Sequence, residues 1–164
     1  ARFVDLAEIG SYEDGFFNLE VFGKADRVVY LAAYLYHYRR DGSSSVTSGY
    51  NPRLYDQWQT LYDRMEAIIQ SNQLGSEYEA ALNNRIALGI LGLGLNITVS
   101  TQSMGKKVKD IRRIIRQERY RKAYKNLPLN YFPIHWKLFY GCARHGFAFG
   151  VYALLTVIQR IISR

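Results

Sequence analysis

The sequence predicts an α+β fold that is mostly helical, with a helix and short strands near the N-terminus and a bundle of helices after them. Of the 164 residues, 48% are apolar and 15% are aromatic, which suffices for the core of one domain. β-Branched and aromatic residues dominate positions 28–38, as they do in strands. After residue 51, apolar residues recur with helical spacing. We therefore divide the chain into two regions, 1–50 and 51–164.

The first region contains one predicted helix and two predicted strands. Glu13 and Asp14 precede an apolar run, and acidic residues favour a helix N-terminus because its free N–H groups and its dipole attract negative charge. Gly23 is the predicted end of this helix. The residues that follow show little helical periodicity, so they predict strands at 28–31 and 35–38.

The second region is predicted to be helical throughout. Ser76 and Glu79 have the form of a capping box, at the start of an apolar helix that extends to about Val99. Residues 105–125 predict a basic helix, and residues 134–162 predict one last helix or two shorter ones. The first helix of the region has a stripe of apolar residues with the three-four spacing of a buried face: Leu54, Trp58, Leu61, Met65, Ile68 and Ile69.

Several apparent motifs in this region do not indicate a binding or catalytic site. The glycines that resemble a dinucleotide-binding loop fall inside an apolar helix and not in a strand-to-helix turn; they are Gly89, Gly92 and Gly94. The three histidines are scattered, so no metal site is predicted. The single cysteine, Cys142, fits a reducing compartment and predicts a small buried apolar residue in preference to a reactive thiol.

The net charge of +8 is confined to one segment. Residues 106–125 contain ten basic side chains against Asp110 and Glu118, so this segment alone has the net charge of the whole chain. Three interpretations remain open: a solvated charged face, a nucleic-acid surface, or a surface that binds anionic membrane. No nucleic-acid recognition motif accompanies the charge, and the imbalance is too one-sided for salt-bridge decoration. We therefore predict membrane binding through Lys106, Lys107, Arg112, Arg113 and Arg116, and no nucleic-acid partner.

The C-terminal stretch GFAFGVYALLTVIQRII supports a location at a membrane. Its residues are mostly apolar, but it is shorter than the roughly 20 residues that span a bilayer. A buried core helix or an interfacial helix fits it better than a transmembrane span. Together with the basic segment, it predicts a cytoplasmic protein that is peripheral on the inner face of the cytoplasmic membrane.

An ordered set of motifs occupies about forty residues near the N-terminus. It begins with Glu13, Asp14 and, three residues later, Phe17; it continues with ADRVVYL and a Tyr-x-Tyr-Arg strand, and it ends in a Ser/Thr-rich loop. This set resembles the family 2 glycosyltransferases of bacterial polysaccharide and cell-wall synthesis. The resemblance implies a GT-A catalytic domain over 1–50, followed by a helical region over 51–164 that faces the acceptor or the membrane.

The resemblance also implies roles for individual residues. In inverting members, the motif's aspartate, here Asp14, removes the proton from the acceptor hydroxyl, and Glu13 orients the site. The strand and the loop lie near the donor diphosphate, where Arg39 pairs with phosphate oxygens and His37 contacts phosphate or metal. The implied substrate-binding residues are Tyr36, His37, Tyr38, Arg39, Ser44 and Ser45. The alternative for Glu13 and Asp14 is a plain helix cap in a non-catalytic basic module that binds membrane or a protein partner.

One departure from the family is large. The chain contains no Asp-x-Asp motif, which in the family binds the metal in the N-terminal nucleotide-binding half. We therefore expect a fragment that lacks this half and is inactive alone. The full-length enzyme is expected to use Mg²⁺ or Mn²⁺, a nucleotide sugar, and a glycan or lipid-linked acceptor, while the fragment itself is expected to bind no cofactor.

Overall fold

The protein, seen in a computed structural model that describes residues 3–36 and 49–162, is an all-helical bundle. Within these ranges there are eight α-helices, one short 3₁₀ helix at Leu129–Tyr131, and no β-strand. The α-helices are α1 (Leu6–Ile9), α2 (Glu13–Phe22), α3 (Leu54–Ser71), α4 (Ser76–Thr98), α5 (Met104–Ile115), α6 (Glu118–Asn126), α7 (Ile134–Arg144) and α8 (Ala148–Ile162).

The predicted strands are wrong wherever the structure describes them, and with them the α+β class. Residues 28–36 have no regular secondary structure, and their large side chains are solvent-exposed: Tyr34 is 100% exposed and Val29 is 84% exposed. A strand needs a neighbour to supply ladder hydrogen bonds and a surface to pack on. The described part of the chain offers neither, so the β-branched composition alone does not produce a strand. Residues 37 and 38 lie outside the described residues.

Helix α4 is the central helix of the bundle. It contacts α3, α5, α6 and α8, which confirms the prediction of a helix buried among others. Its glycines permit close packing, because a Cβ on Gly92 would come within 2.6 Å of the Trp58 ring and one on Gly94 within 2.4 Å of Leu155. Of the described helices, α4 is also the one long and apolar enough to cross a membrane, a property that a central core helix shares.

The helix boundaries confirm most of the predicted ones. The helix at Glu13 ends before Gly23, as predicted. The predicted capping box of Ser76 and Glu79 is wrong. Helix α4 begins at Ser76, Gly75 is its N-cap residue, and no side chain caps it. The basic segment forms two helices, α5 and α6, separated by Arg116 and Gln117. The last stretch forms α7 and α8, which is the second of the two predicted arrangements.

Helices α1 and α2 are attached to α3 by hydrogen bonds and by buried side chains. Gln57 donates from Nε2 to the Ala7 carbonyl at 3.0 Å, and Trp58 donates from Nε1 to Ser11 Oγ at 3.1 Å. Phe16 of α2 is buried in the same core as Trp58. The start of α2 is therefore held against the helical body at a fixed position.

Tyrosines from α3, α6 and α7 form a buried part of the core. Tyr62 and Tyr120 are fully buried, and Tyr140 is 3% exposed. Because burial disfavours the charged phenolate, it raises the pKa of Tyr62 to about 12 and the pKa of Tyr140 to about 12. These side chains serve packing, and they make the core sensitive to high pH.

Candidate active site and basic surfaces

The carboxylate pair lies on the first turn of α2. Asp14 is exposed and Glu13 is half-buried. Asp14 Oδ1 accepts a hydrogen bond from the backbone N–H of Gly15 at 2.7 Å. This bond orients the carboxylate of an exposed side chain, so the group is both a partial cap for α2 and an available proton acceptor.

The residues on either side of the pair fix its backbone. Tyr12, at the N-cap of α2, has a left-handed backbone with φ of 75°, an uncommon conformation for a non-glycine residue. Its ring lies over Gly15, where a Cβ would come within 2.1 Å of Tyr12 Cε1. On the same ring, the Arg85 guanidinium lies 3.9 Å from the ring centroid. The small residue after the acidic pair is therefore a steric requirement of the Tyr12 conformation.

Two grooves border the start of α2. One, between α2, α3 and α4, is lined by Tyr12, Gly15 and Arg85 together with apolar side chains. The other lies beside Ser11 and Trp58. In the second groove Asn51 and Asn96 are joined by two hydrogen bonds of 2.8 Å, from Asn51 N to Asn96 Oδ1 and from Asn96 Nδ2 to the Asn51 carbonyl. Glu13 and Asp14 line neither groove, although residues next to them in the sequence do.

The structure tests little of the predicted donor-binding set. Tyr36 is 79% exposed and lies in the irregular segment, so no described contact brings it to Asp14. The other predicted residues of this set lie outside the described residues: His37, Tyr38, Arg39, Ser44 and Ser45. The structure therefore brings together Glu13 and Asp14, with Tyr12, Gly15 and Arg85 as neighbours that sequence reasoning missed.

The described residues do not supply a set of metal ligands. Within 3–36 and 49–162, no group of three or more His, Cys, Asp and Glu side chains is arranged to hold a metal ion. Glu13 and Asp14 provide only two carboxylates. The divalent metal implied by the resemblance therefore has no ligand set among the residues that the structure describes.

The predicted membrane-binding residues lie on or next to α5. Its inner face is formed by buried isoleucines, Ile111, Ile114 and Ile115, and its outer face is cationic. Four of the five predicted residues are exposed: Lys106, Arg112, Arg113 and Arg116. Lys107 differs, because it is half-buried and donates from Nζ to the Thr98 carbonyl at 2.8 Å, so its ammonium closes the C-terminal end of α4.

A second basic surface follows on α6. Arg119 is directed to α3, where it pairs with Asp63 and Glu66. The remaining basic side chains of α6 are exposed and line a cleft with residues from the ends of α5 and α7. The cleft-lining basic residues are Arg116, Arg121, Lys122, Lys125 and Arg144. The sequence shows the charge of this segment, but not that Arg144, nineteen residues beyond Lys125, joins it.

Comparisons with known proteins assign no family to the chain. No model of a protein family, no curated protein and no solved structure matches it.

Proposed function

We propose that the chain is the acceptor-side part of an inverting family 2 glycosyltransferase, in which Asp14 is the general base. One observation carries the proposal: an exposed carboxylate on the first turn of a helix that is fixed to the body of the protein. It is supported by the resemblance of the surrounding motifs, in which the aspartate of the same pair has this role.

The chemistry asked of Asp14 is a single proton transfer. As the acceptor hydroxyl oxygen forms a bond to the anomeric carbon of the donor sugar, the bond from that carbon to the nucleotide diphosphate breaks. The hydroxyl proton passes to Asp14 Oδ2, and the diphosphate leaves with the electron pair of the broken bond. The Gly15 N–H holds Oδ1 at 2.7 Å, so the carboxylate is oriented before the acceptor arrives.

The exposed segment after α2 supports a larger enzyme. Residues 28–36 place several large apolar side chains in solvent, among them Tyr30, Tyr34 and Leu35. Exposed apolar side chains that lie close together in the chain are typical of a surface that another part of a protein covers. In the proposed enzyme the nucleotide-binding half covers this segment and supplies the nucleotide sugar and the divalent metal. Accordingly, the chain alone is proposed to be inactive in sugar transfer.

The proposed enzyme acts on a glycan or a lipid-linked acceptor at the inner face of the cytoplasmic membrane. The exposed cations of α5, with Ile111, Ile114 and Ile115 buried beneath them, support association with anionic lipid. The direct test of the catalytic proposal is sugar transfer by the full-length enzyme carrying Asp14→Asn. The substitution keeps an oxygen for the Gly15 N–H but removes the basic group.

The second candidate function is a basic helical module that binds anionic membrane without catalysis, in which Asp14 is only a cap for α2. The hydrogen bond between Asp14 and Gly15 favours it as a specific observation, because a carboxylate that accepts a first-turn N–H stabilises a helix. Under this alternative the protein transfers no sugar, and the effect of Asp14→Asn is a loss of stability of about 1 kcal/mol or less.

A further inference from the structure

The cleft lined by helix α6 and by the ends of α5 and α7 concentrates positive charge on one surface. Five basic side chains line it and one carboxylate, Glu118, accompanies them. Among the described residues, no carboxylate forms an ion pair with Arg121, Lys122 or Lys125. Arg119 on the same helix is, by contrast, neutralised by Asp63 and Glu66. The cleft is therefore a site of uncompensated charge, not a salt-bridged face.

The helical register of α6 produces this arrangement. Tyr120, Ala123 and Tyr124 are buried, and they occupy one side of a helix with 3.6 residues per turn. Lys122 and Lys125 fall on the opposite side, one turn apart. The short helix therefore cannot bury its tyrosines without presenting these two lysines to solvent.

Two arginines from other helices complete the cleft. Arg144 donates from Nε and from a terminal nitrogen to the carbonyls of Tyr124, Lys125 and Leu127 at distances of 2.6 to 3.2 Å. It thereby closes the C-terminal end of α6 and fixes α7 against it. Arg116 reaches the α7–α8 turn, where its Nε would lie 3.9 Å from a Cβ placed on Gly146.

Two exposed apolar side chains follow Gly146, the turn residue next to Arg116: Phe147 in the sequence position after it and Phe149 on the first turn of α8. Phe147 is 57% exposed and Phe149 is 51% exposed, and their ring centroids are 6.5 Å apart. On α7, Ile134 and Leu138 are also exposed, and the helical register puts them on the side opposite the buried Ala143. Basic side chains next to exposed aromatic and aliphatic ones are the pattern of proteins that lie at the bilayer interface.

We propose that this cleft binds the phosphate headgroup of an anionic phospholipid, with Phe147 and Phe149 inserted among the neighbouring acyl chains. The headgroup phosphate would meet Arg116, Lys122 and Lys125, and guanidinium and ammonium groups are the protein's usual phosphate donors. The proposal deepens the membrane association of the function proposed above and rests on it. Lipid binding is measured without sugar transfer, so the two proposals fail separately.

The adjacent apolar residues favour lipid over a soluble phosphate. A cleft for a free anion needs charge only, and it gives no role to the exposed phenylalanines that follow Gly146. An anionic bilayer offers a partner to both kinds of side chain. Its headgroup phosphates attract the basic side chains, and its hydrocarbon, which lies deeper, accommodates the phenylalanines.

The test is vesicle co-sedimentation of the purified chain, with phosphatidylcholine vesicles that contain or lack phosphatidylglycerol. The variant Lys122→Glu with Lys125→Glu removes the cleft charge. The matched control, Lys24→Glu with Arg53→Glu, makes the same charge change at two exposed positions outside the cleft. A third pair, Lys106→Glu with Lys109→Glu, makes it on the outer face of α5. Circular dichroism and thermal unfolding verify that each variant is folded.

We expect the cleft variant to bind anionic vesicles about tenfold more weakly than the control or worse, and the wild type to prefer anionic over neutral vesicles in a salt-sensitive manner. Equal binding by the cleft variant and the control would overturn the proposal. So would loss of binding only in the α5 variant, which would make α5 the lipid surface. Binding of soluble pyrophosphate through Lys122 and Lys125, without vesicle binding, would replace lipid with a free phosphate.

Insertion is tested separately with Phe147→Trp. Its fluorescence should shift to shorter wavelength on anionic vesicles and be quenched by lipids with brominated acyl chains, beyond the signal that the wild-type tryptophans give. An unchanged spectrum in a vesicle-bound sample would show that the turn stays outside the hydrocarbon and would overturn this part of the proposal.

Discussion

The ring of Tyr12 lies over Gly15 so closely that a Cβ on Gly15 would come within 2.1 Å of Tyr12 Cε1. The Arg85 guanidinium also lies over this ring, 3.9 Å from its centroid. Tyr12 therefore contacts both the backbone of α2 and a side chain of α4, and Asp14 lies between Tyr12 and Gly15 in the sequence. The position of the proposed base therefore depends on a glycine that carries no functional group.

Gly15→Ala is expected to displace Tyr12 and destabilise the protein. The added Cβ overlaps the ring, and overlaps of this kind cost roughly 1 to 3 kcal/mol, more than the gain of about 1 kcal/mol from placing alanine in a helix. Urea denaturation measures the change. Gly105→Ala is the control, because no atom lies within 4 Å of its Cβ position. If Tyr12→Ala did not relieve the cost of Gly15→Ala in a double mutant, the contact would not be its cause.

Gly92→Ala is expected to disturb the packing of α4 on α3. A Cβ there would come within 2.6 Å of the Trp58 ring, and a rigid indole in a buried position has little room to move. We expect a loss of stability of roughly 1 to 3 kcal/mol and a change in Trp58 fluorescence. The same Gly105→Ala control should be neutral or stabilising. A stabilised Gly92→Ala protein would show that the two helices are not in close contact at this point.

Stability is expected to fall at high pH as buried tyrosines ionise. Burial raises the pKa of Tyr62 to about 12 from an ordinary value near 10, so the folded state holds this proton more tightly than the unfolded state. The protonated hydroxyl of Tyr62 contributes to the free energy of unfolding, and this contribution is fully present below about pH 10. It is lost as the pH rises toward 12, and the free energy of unfolding then falls by about 1.4 kcal/mol per pH unit for this one group. Denaturation between pH 9 and pH 11, with tyrosinate followed by its absorbance, measures it.

Tyr62→Phe is the matched variant for this titration. It keeps the ring and removes the ionising hydroxyl, so its stability should decline less steeply above pH 10 than that of the wild type. Identical slopes in the two proteins would mean that Tyr62 ionises as easily in the folded state as in the unfolded state, and its burial would then be in doubt.

The helices of the second region could be predicted because their signal is local. The stripe from Leu54 to Ile69 and the apolar run after Ser76 specify a helix from residues within a few turns of each other, and the observed bounds, Leu54–Ser71 and Ser76–Thr98, agree with the prediction closely. The prediction of a capping box was wrong because it took Ser76 as the N-cap residue. The helix begins one residue earlier than that, so Ser76 is its first residue and Gly75 is the N-cap.

The strands could not be predicted reliably because a strand forms only beside another strand. Residues 28–36 have strand composition, but composition does not say whether a partner lies beside them.

Only part of the candidate site could be identified from the sequence. The pair Glu13 and Asp14 could be identified from the sequence. The packing of the Tyr12 ring over Gly15 could not, because it depends on a left-handed backbone at Tyr12 that no local sequence pattern indicates. Likewise, the charge of residues 106–125 was evident, but not the addition of Arg144 from α7.

The most direct test of the central claim is sugar transfer by the proposed full-length enzyme with Asp14→Asn, with Asp5→Asn as its matched control. Asp5 is also a capping aspartate, whose Oδ1 accepts from the Ala7 N–H at 2.8 Å, so both variants replace a carboxylate at a helix start. The account predicts a loss of about 10²- to 10⁴-fold in kcat for Asp14→Asn, with little change in stability, and nearly unchanged transfer for Asp5→Asn. Equal activity in the two variants would contradict it and leave Asp14 as a helix cap.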